Sequence, residues 1–363
     1  MKYFNVIVVM VLVLWFIGAG CKPPEIEGTI VHMQAKRMDD AYELAKVAVK
    51  KYPQNSEAWY LLGKLQGDRG EIKEMAESYD KSLAIDAAFA SEIKSEKSFY
   101  YSKYFNEGVN EYNKYLKLPP EESTSEEANK ILQKSIDNFT NARYIRNDYA
   151  ANRLIAMSYM YKSDSTHALE NLLSAMKAKP DTIQAYIDLG QFYQNRKNYA
   201  KAIDYLEKGR SLDPENAFCV INLAMIYDYA KEREKAIETY KKALELNSED
   251  MAIPFNLGLL YYKIANEHKE GDPEWKEALE NAAKYLMQAY EINSENEDLY
   301  NLIGPVLINL DRNSEAIEIL KEGTDYFPDS CIIWTNLSVA YARAGMTKEA
   351  EETYKKVKDM GCE

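Results

Sequence analysis

Apolar residues in this chain fall at helical spacing and then fall there again. Tyr186, Leu189, Gly190 and Tyr193 share one face of a predicted helix. Ala202, Leu206 and Gly209 form the matching face of a second helix, which stops before Asp213-Pro214. The pattern recurs: Leu189-Gly190 is preceded by Ile155-Ala156 and followed by Leu223-Ala224, Leu257-Gly258, Ile303-Gly304 and Leu337-Ser338. These pairs are 34 residues apart, except for one step of 46. Ala168, Ala202, Ala236, Ala282, Ala316 and Ala350 keep the same time. Two markers in step indicate stacked helix-turn-helix units, an elongated array whose business is to present a surface. The small residues let paired helix backbones approach where they cross, and a proline such as Pro214 sets the corner into the next unit.

Trp59, Leu62, Gly63, Gly70 and Tyr79 in 56–89, and Trp334, Leu337, Tyr341, Gly345, Ala350 and Tyr354 in 331–363, fill out the signature. The pattern resembles the tetratricopeptide repeat. The resemblance implies an all-α solenoid, a right-handed superhelix of stacked antiparallel helix pairs, over residues 36–363. Its expected units are a partial one at 36–55, then 56–89, 90–148, 149–182, 183–216, 217–250, 251–296, 297–330 and 331–363. Met75 departs from the usual small residue, and Ser248 and Ser294 replace the corner proline. The unit 90–148 carries an insertion around Pro119-Pro120 and the acidic 121–127 stretch, and 251–296 gains 12 residues near Gly271-Asp272-Pro273. Pro305 lies inside a predicted helix, where it removes a hydrogen bond and is expected to kink it.

The N-terminus reads differently. Lys2 is followed by an unbroken apolar run from Val6 to Ile17 and by Gly18-Ala19-Gly20. Twelve residues are too few to span a bilayer, for which about 20 are needed, and the layout is that of a secretory signal. Because Cys21 directly follows the small residues, the segment 1–20 resembles a bacterial lipoprotein signal, in which the cysteine is diacylated and becomes the mature N-terminus. Gly18 departs from the leucine usual there, and an ordinary export signal stands as the alternative. Residues 21–35, with Pro23-Pro24, read as a lipidated N-terminus and short tether. Lys22 after the cysteine points, by analogy, to the outer membrane and its periplasmic face in a Gram-negative cell.

Export changes the cysteine arithmetic. Beyond Cys21, three cysteines remain, and a disulfide is permissible outside the cytosol. Cys331 opens the first helix of the last unit and Cys362 follows the second, so a bridge between them is geometrically reasonable, with two separate thiols as the alternative. Cys219 sits on an apolar face and is expected to be packed.

The net charge of −13 and the absence of a basic stripe argue against nucleic acid. His32, His167 and His268 stand in distant units with no metal-ligand spacing, so no metal or other cofactor is expected. No phosphate loop or nucleophile elbow appears, and the many acidic pairs are what a chain with 58 acidic residues makes by default. The expectation is a protein that is not an enzyme.

What remains is a groove. In the family resembled, one stripe of each first helix lines the concave surface. Carried over, that stripe holds Met157, Met160 and Tyr161, then Ile187, Gln191 and Asn195, then Phe218, Ile221, Met225 and Tyr229, then Phe255, Leu259 and Tyr262. Later units add Asn301, Ile308, Val339 and Arg343. Apolar, aromatic and rich in Met, it suits an amphipathic helix or extended peptide, although a tightly curled array would bury part of it as core. The basic clamp by which some family members hold a C-terminal carboxylate is missing: Glu57, Tyr60, Lys64, Ile187 and Phe218 occupy those places. The reading is a lipid-anchored scaffold of the cell envelope that binds a peptide or helix of a protein partner. The alternative is a structural lipoprotein that self-associates through Ile332, Trp334 and the final helix.

Overall fold

The computed structural model describes residues 22–362, and among these every regular element is helical. The helices fall into two compact units that divide at 180/181. The first unit holds α1 (Pro24–Gln34), α2 (Met38–Lys51), α3 (Ser56–Asp68), α4 (Ile72–Ile85), α5 (Ala90–Leu116), α6 (Glu126–Ile145), α7 (Tyr149–Tyr161) and α8 (Ser165–Ala178). The second holds α9 (Ile183–Gln194), α10 (Tyr199–Leu212), α11 (Ala217–Tyr229), α12 (Arg233–Leu246) and α13 (Ala252–Ala265). It continues with α14 (Pro273–Ile292), α15 (Glu297–Asn309), α16 (Asn313–Tyr326), α17 (Cys331–Arg343) and α18 (Thr347–Asp359). Odd and even helices pair, and within each unit successive pairs stack.

The sequence explains how each pair closes. First helices are opened by side chains that accept from the free backbone N–H groups of the first turn: Asn55 from Ala58, Asp148 from Ala151, Asn216 from Cys219, Asn296 from Leu299. The helices then cross at residues without bulk. A Cβ on Gly190 would lie 2.6 Å from Leu206 Cγ, so only a glycine lets α9 come this close to α10. Leu206 is fully buried there, a contribution of about 1.5–3 kcal/mol. Corners repeat as well: the Trp59 indole donates to Pro53 O at 2.9 Å and the Trp334 indole to Pro328 O at 2.8 Å. The turn inside a pair needs one residue in the left-handed region. Gly70 and Gly345 supply it at φ +78° and +75°, but Lys197 and Lys231 stand there at +56° and +61°.

Four features differ from, or refine, the sequence reading. Residues 24–34 are a helix and not a tether. Pro24 starts it, as proline does at a first helical position, and Ile26 and Thr29 are buried against α2. The incomplete first unit is therefore a full helix pair. In the long third pair, α5 runs for 27 residues, and Ser125 caps α6 inside the acidic 121–127 stretch of the insertion. In the 46-residue unit the extra length goes mainly into α14, 20 residues long against 14 for α13. α15 runs on through Pro305. The signal segment and Cys21 lie outside the described residues. No described helix is long and apolar enough to cross a membrane.

Candidate functional site

Two first helices of the second unit are unlike the rest. α11 and α13 are apolar almost all round, each with a single charged residue, Asp228 and Lys263. A helix of that composition must be covered on most of its surface. Cys219, Val220, Leu223, Ala224, Ile226 and Tyr227 meet that need for α11, and Ile253, Leu257 and Leu260 for α13. A stripe is left over. Phe218 and Tyr229 remain 52% and 48% exposed, with Ile221 and Met225 half-buried between them on the same face. Phe255, Leu259 and Tyr262 continue it on α13, all half-buried, and the two helices touch.

Polar links hold this face in place. Lys263 Nζ donates to Asp228 Oδ2 at 2.9 Å, so the lone charges of α11 and α13 cancel. Gln191 Nε2 on α9 donates to Asn222 Oδ1 at 3.2 Å, and Asn222 Nδ2 to Phe218 O at 2.7 Å. The Tyr229 ring stacks on Tyr199, centroids 6.0 Å apart. Sequence reasoning missed Asp228, Lys263, Asn222 and Tyr199 as the frame of this face. The signal was present in the near-total lack of charge along α11 and α13.

Some expected lining residues belong elsewhere. Ile187 is 1% exposed and Ile308 6%; both are core. The side chain beside Ile187, Asp188, is itself buried at 2%, so α9 turns more of its circumference inward than a single-stripe reading allows. Gln191 is thus the residue through which α9 reaches the stripe, while Asn195 is exposed at its end. Met157, Met160 and Tyr161 lie on α7 of the first unit. There the two methionines are half-buried and the Tyr161 ring packs 4.9 Å from that of Tyr115 on α5.

The cysteines divide into two kinds. Cys331 and Cys362 form a disulfide, Cα atoms 5.5 Å apart, that ties the start of α17 to the segment following α18. Cys219 is buried with Sγ 3.5 Å from Leu206 O, and burial pushes its thiol up to about 11, which keeps it protonated and inert. His167 is exposed and pairs with Asp164, Nδ1 to Oδ2 2.7 Å, and no group of three or more metal-ligating side chains occurs among the described residues.

Comparison with known families agrees with the spacing. The tetratricopeptide-repeat pattern matches residues 181–249 in one form and 56–89 and 333–360 in another. The chain contains tetratricopeptide repeats over those residues. No curated protein sequence matches it. Among solved structures it is similar to a protein called MamA, 23% identical over 50% of this chain and 92% of the other, TM-score 0.43. YrrB, described as a tetratricopeptide-repeat protein with an unusual peptide-binding site, is 21% identical over 52% of this chain and 91% of its own, TM-score 0.45. PilF of Pseudomonas aeruginosa is 15% identical over 65% and 96%, TM-score 0.48.

Proposed function

We propose that this tetratricopeptide-repeat protein is a non-enzymatic scaffold that binds a peptide or helix of a partner protein on the first-helix face of its second unit. The observation that carries the reading is the charge-free apolar stripe from Phe218 to Tyr262, left open on a unit that is otherwise strongly acidic. Residues 1–180 contain 24 acidic and 24 basic residues, so the whole net charge of −13 resides in 181–363. An apolar stripe between acidic surfaces suits an amphipathic helix with a Leu, Phe or Met face and Lys or Arg flanks. Lipidation at Cys21 would hold the scaffold at a membrane of the cell envelope and concentrate it over partners in that membrane.

The test is fluorescence anisotropy of a labelled, basic amphipathic helical peptide, with Phe218→Glu/Met225→Lys as the altered face. These positions are exposed or half-buried, so the variant keeps its fold, whereas Phe255 packs against the core and is avoided. Binding by the native chain and its loss in a variant with unchanged circular dichroism supports the reading. Equal binding by both places the contact elsewhere. Mass spectrometry of the mature N-terminus tests the lipid at Cys21. A second reading, self-association, is supported by Ile332, Val339 and Tyr354, which are 54%, 42% and 48% exposed in the last pair. A sedimentation shift with concentration that disappears in Ile332→Asp would select it.

A further inference from the structure

The first unit contains an opening that the repeat pattern does not call for. α4 packs chiefly against α3 and α6, and only lightly against the start of α5. Between these elements lies a cleft of about 400 Å3, a size in the range of sites that hold a few residues of a ligand. Leu83, Ile93, Ile145 and the Tyr101 ring make its apolar surface. Ile93 is buried at 1%, whereas Leu83 stays 38% exposed. The charged residues of the lining are Lys94, Lys97 and Arg146, with no carboxylate among them.

The cleft is also stiff. Arg146 lies flat over the Tyr101 ring, 3.6 Å from its centroid, and its Nε donates to Asp148 Oδ2 at 2.8 Å. The Tyr101 hydroxyl donates to the same carboxylate oxygen at 2.7 Å, which fixes the ring as a wall. Lys97 is held by Asp80 at 2.5 Å. Lys94 is exposed and has no ion-pair partner among the described residues. A fixed apolar recess beside an uncompensated ammonium selects a bulky apolar side chain next to a carboxylate.

We propose that this cleft is a second binding site, specific for an acidic peptide segment that places one Leu, Ile or Phe in the recess and an adjacent Asp or Glu against Lys94. It is independent of the first-helix face, and its charge preference is opposite to that of the acidic second unit.

The experiment reads the δ1-methyl resonances of Ile93 and Ile145 in the full chain, solubilised in detergent. They are titrated with a pool of acetylated pentapeptides centred on Asp-Leu-Glu, Asp-Ile-Glu and Asp-Phe-Glu, and with the same pool carrying Lys at both acidic positions. The acidic pool is expected to shift both methyls and the lysine pool to leave them in place. Lys94→Glu should weaken the response by about tenfold, through loss of an attraction and gain of a repulsion. Ser98→Trp, at an exposed rim position, should fill the entrance and abolish it, while Phe218→Glu leaves it unchanged. Equal shifts from both pools, or none up to about 1 mM peptide, overturn the proposal. It is equally overturned if the methyls respond to phosphatidylglycerol vesicles and not to the peptides, or move with protein concentration alone. Loss of the response in Phe218→Glu would move the site to the first-helix face.

Discussion

Lys263 on α13 and Asp228 on α11 meet at 2.9 Å and neutralise the lone charges of the two most apolar first helices. Their side chains are 48% and 16% exposed, so solvent screens the pair. Its role is to align α11 and α13 and leave the neighbouring stripe uncharged. A double-mutant cycle with Asp228→Ala and Lys263→Ala should give a coupling below about 1 kcal/mol that shrinks with added salt. A coupling of several kcal/mol would mean that the pair carries the packing of α11 on α13.

The crossing and the turn within one repeat make opposite predictions for glycine. Gly190→Ala adds a Cβ 2.6 Å from Leu206 Cγ. It should destabilise the chain by about 1–3 kcal/mol in urea unfolding, although alanine is the better helix former. Three residues past the end of α9, Lys197 stands at φ +56°. Lys197→Gly should stabilise by up to about 1 kcal/mol, because it removes the steric cost of a side chain in the left-handed region.

The Cys331–Cys362 bridge closes a loop of sequence separation 31. Chain-entropy arguments put its stabilisation at about 3–4 kcal/mol, referred to the unfolding of the segment it spans. Cys362→Ser should lower the thermal midpoint, and reducing agent should bring the native chain down to the same value while leaving the variant unmoved. Cys219 should resist thiol reagents until the chain unfolds, since its thiol is buried.

Several tyrosines make the fold sensitive to alkali. Tyr42 is pushed up to about 12 by its hydrogen bond to Glu71 and by burial, while Tyr100 and Tyr290 reach about 12 chiefly through burial. These folded values lie above the ordinary 10.0, so their contribution is complete below pH 10 and is lost as pH rises toward 12. Unfolding free energy measured in urea should therefore be level from neutrality to about pH 10 and fall beyond it, and Tyr42→Phe should flatten that fall. On the acid side, Asp86 is held below its ordinary 3.8 by the Ala88 N–H and the Ser56 hydroxyl. Its contribution is present above that value and lost as pH falls through the lowered one, so Ser56→Ala should move the acid transition upward.

The repeat was legible in the sequence because its constraint is local. Two helices joined by a tight turn can cross only where a small residue such as Gly190 or Ala202 faces the partner, and that requirement recurs at a fixed interval along the chain. The near-total lack of charge along α11 and α13 was legible for the same reason, since a helix that must be covered on most sides shows it in its own composition. Which apolar residues stay open was a different matter. Ile187 and Ile221, 34 residues apart, occupy equivalent places in successive repeats, yet one is 1% exposed and the other half-buried on the open stripe. One residue along a helix turns a side chain by about 100°, so a modest rotation against the neighbouring pair moves it from stripe to core. Residues 21–35 were read as a tether because Pro23-Pro24 looks like linker; α2 lies close enough that a Cβ on Gly28 would meet Leu44, and that neighbour makes 24–34 a helix. The cleft beside Lys94 was invisible for the strongest form of the reason. Leu83, Ile93 and Ile145 come from three helices, and only their packing in space leaves a gap among them. Sequence by itself determined the element, its period and its chemistry, because backbone geometry repeats; tertiary structure decided which surfaces stay uncovered, because that depends on neighbours distant in the chain.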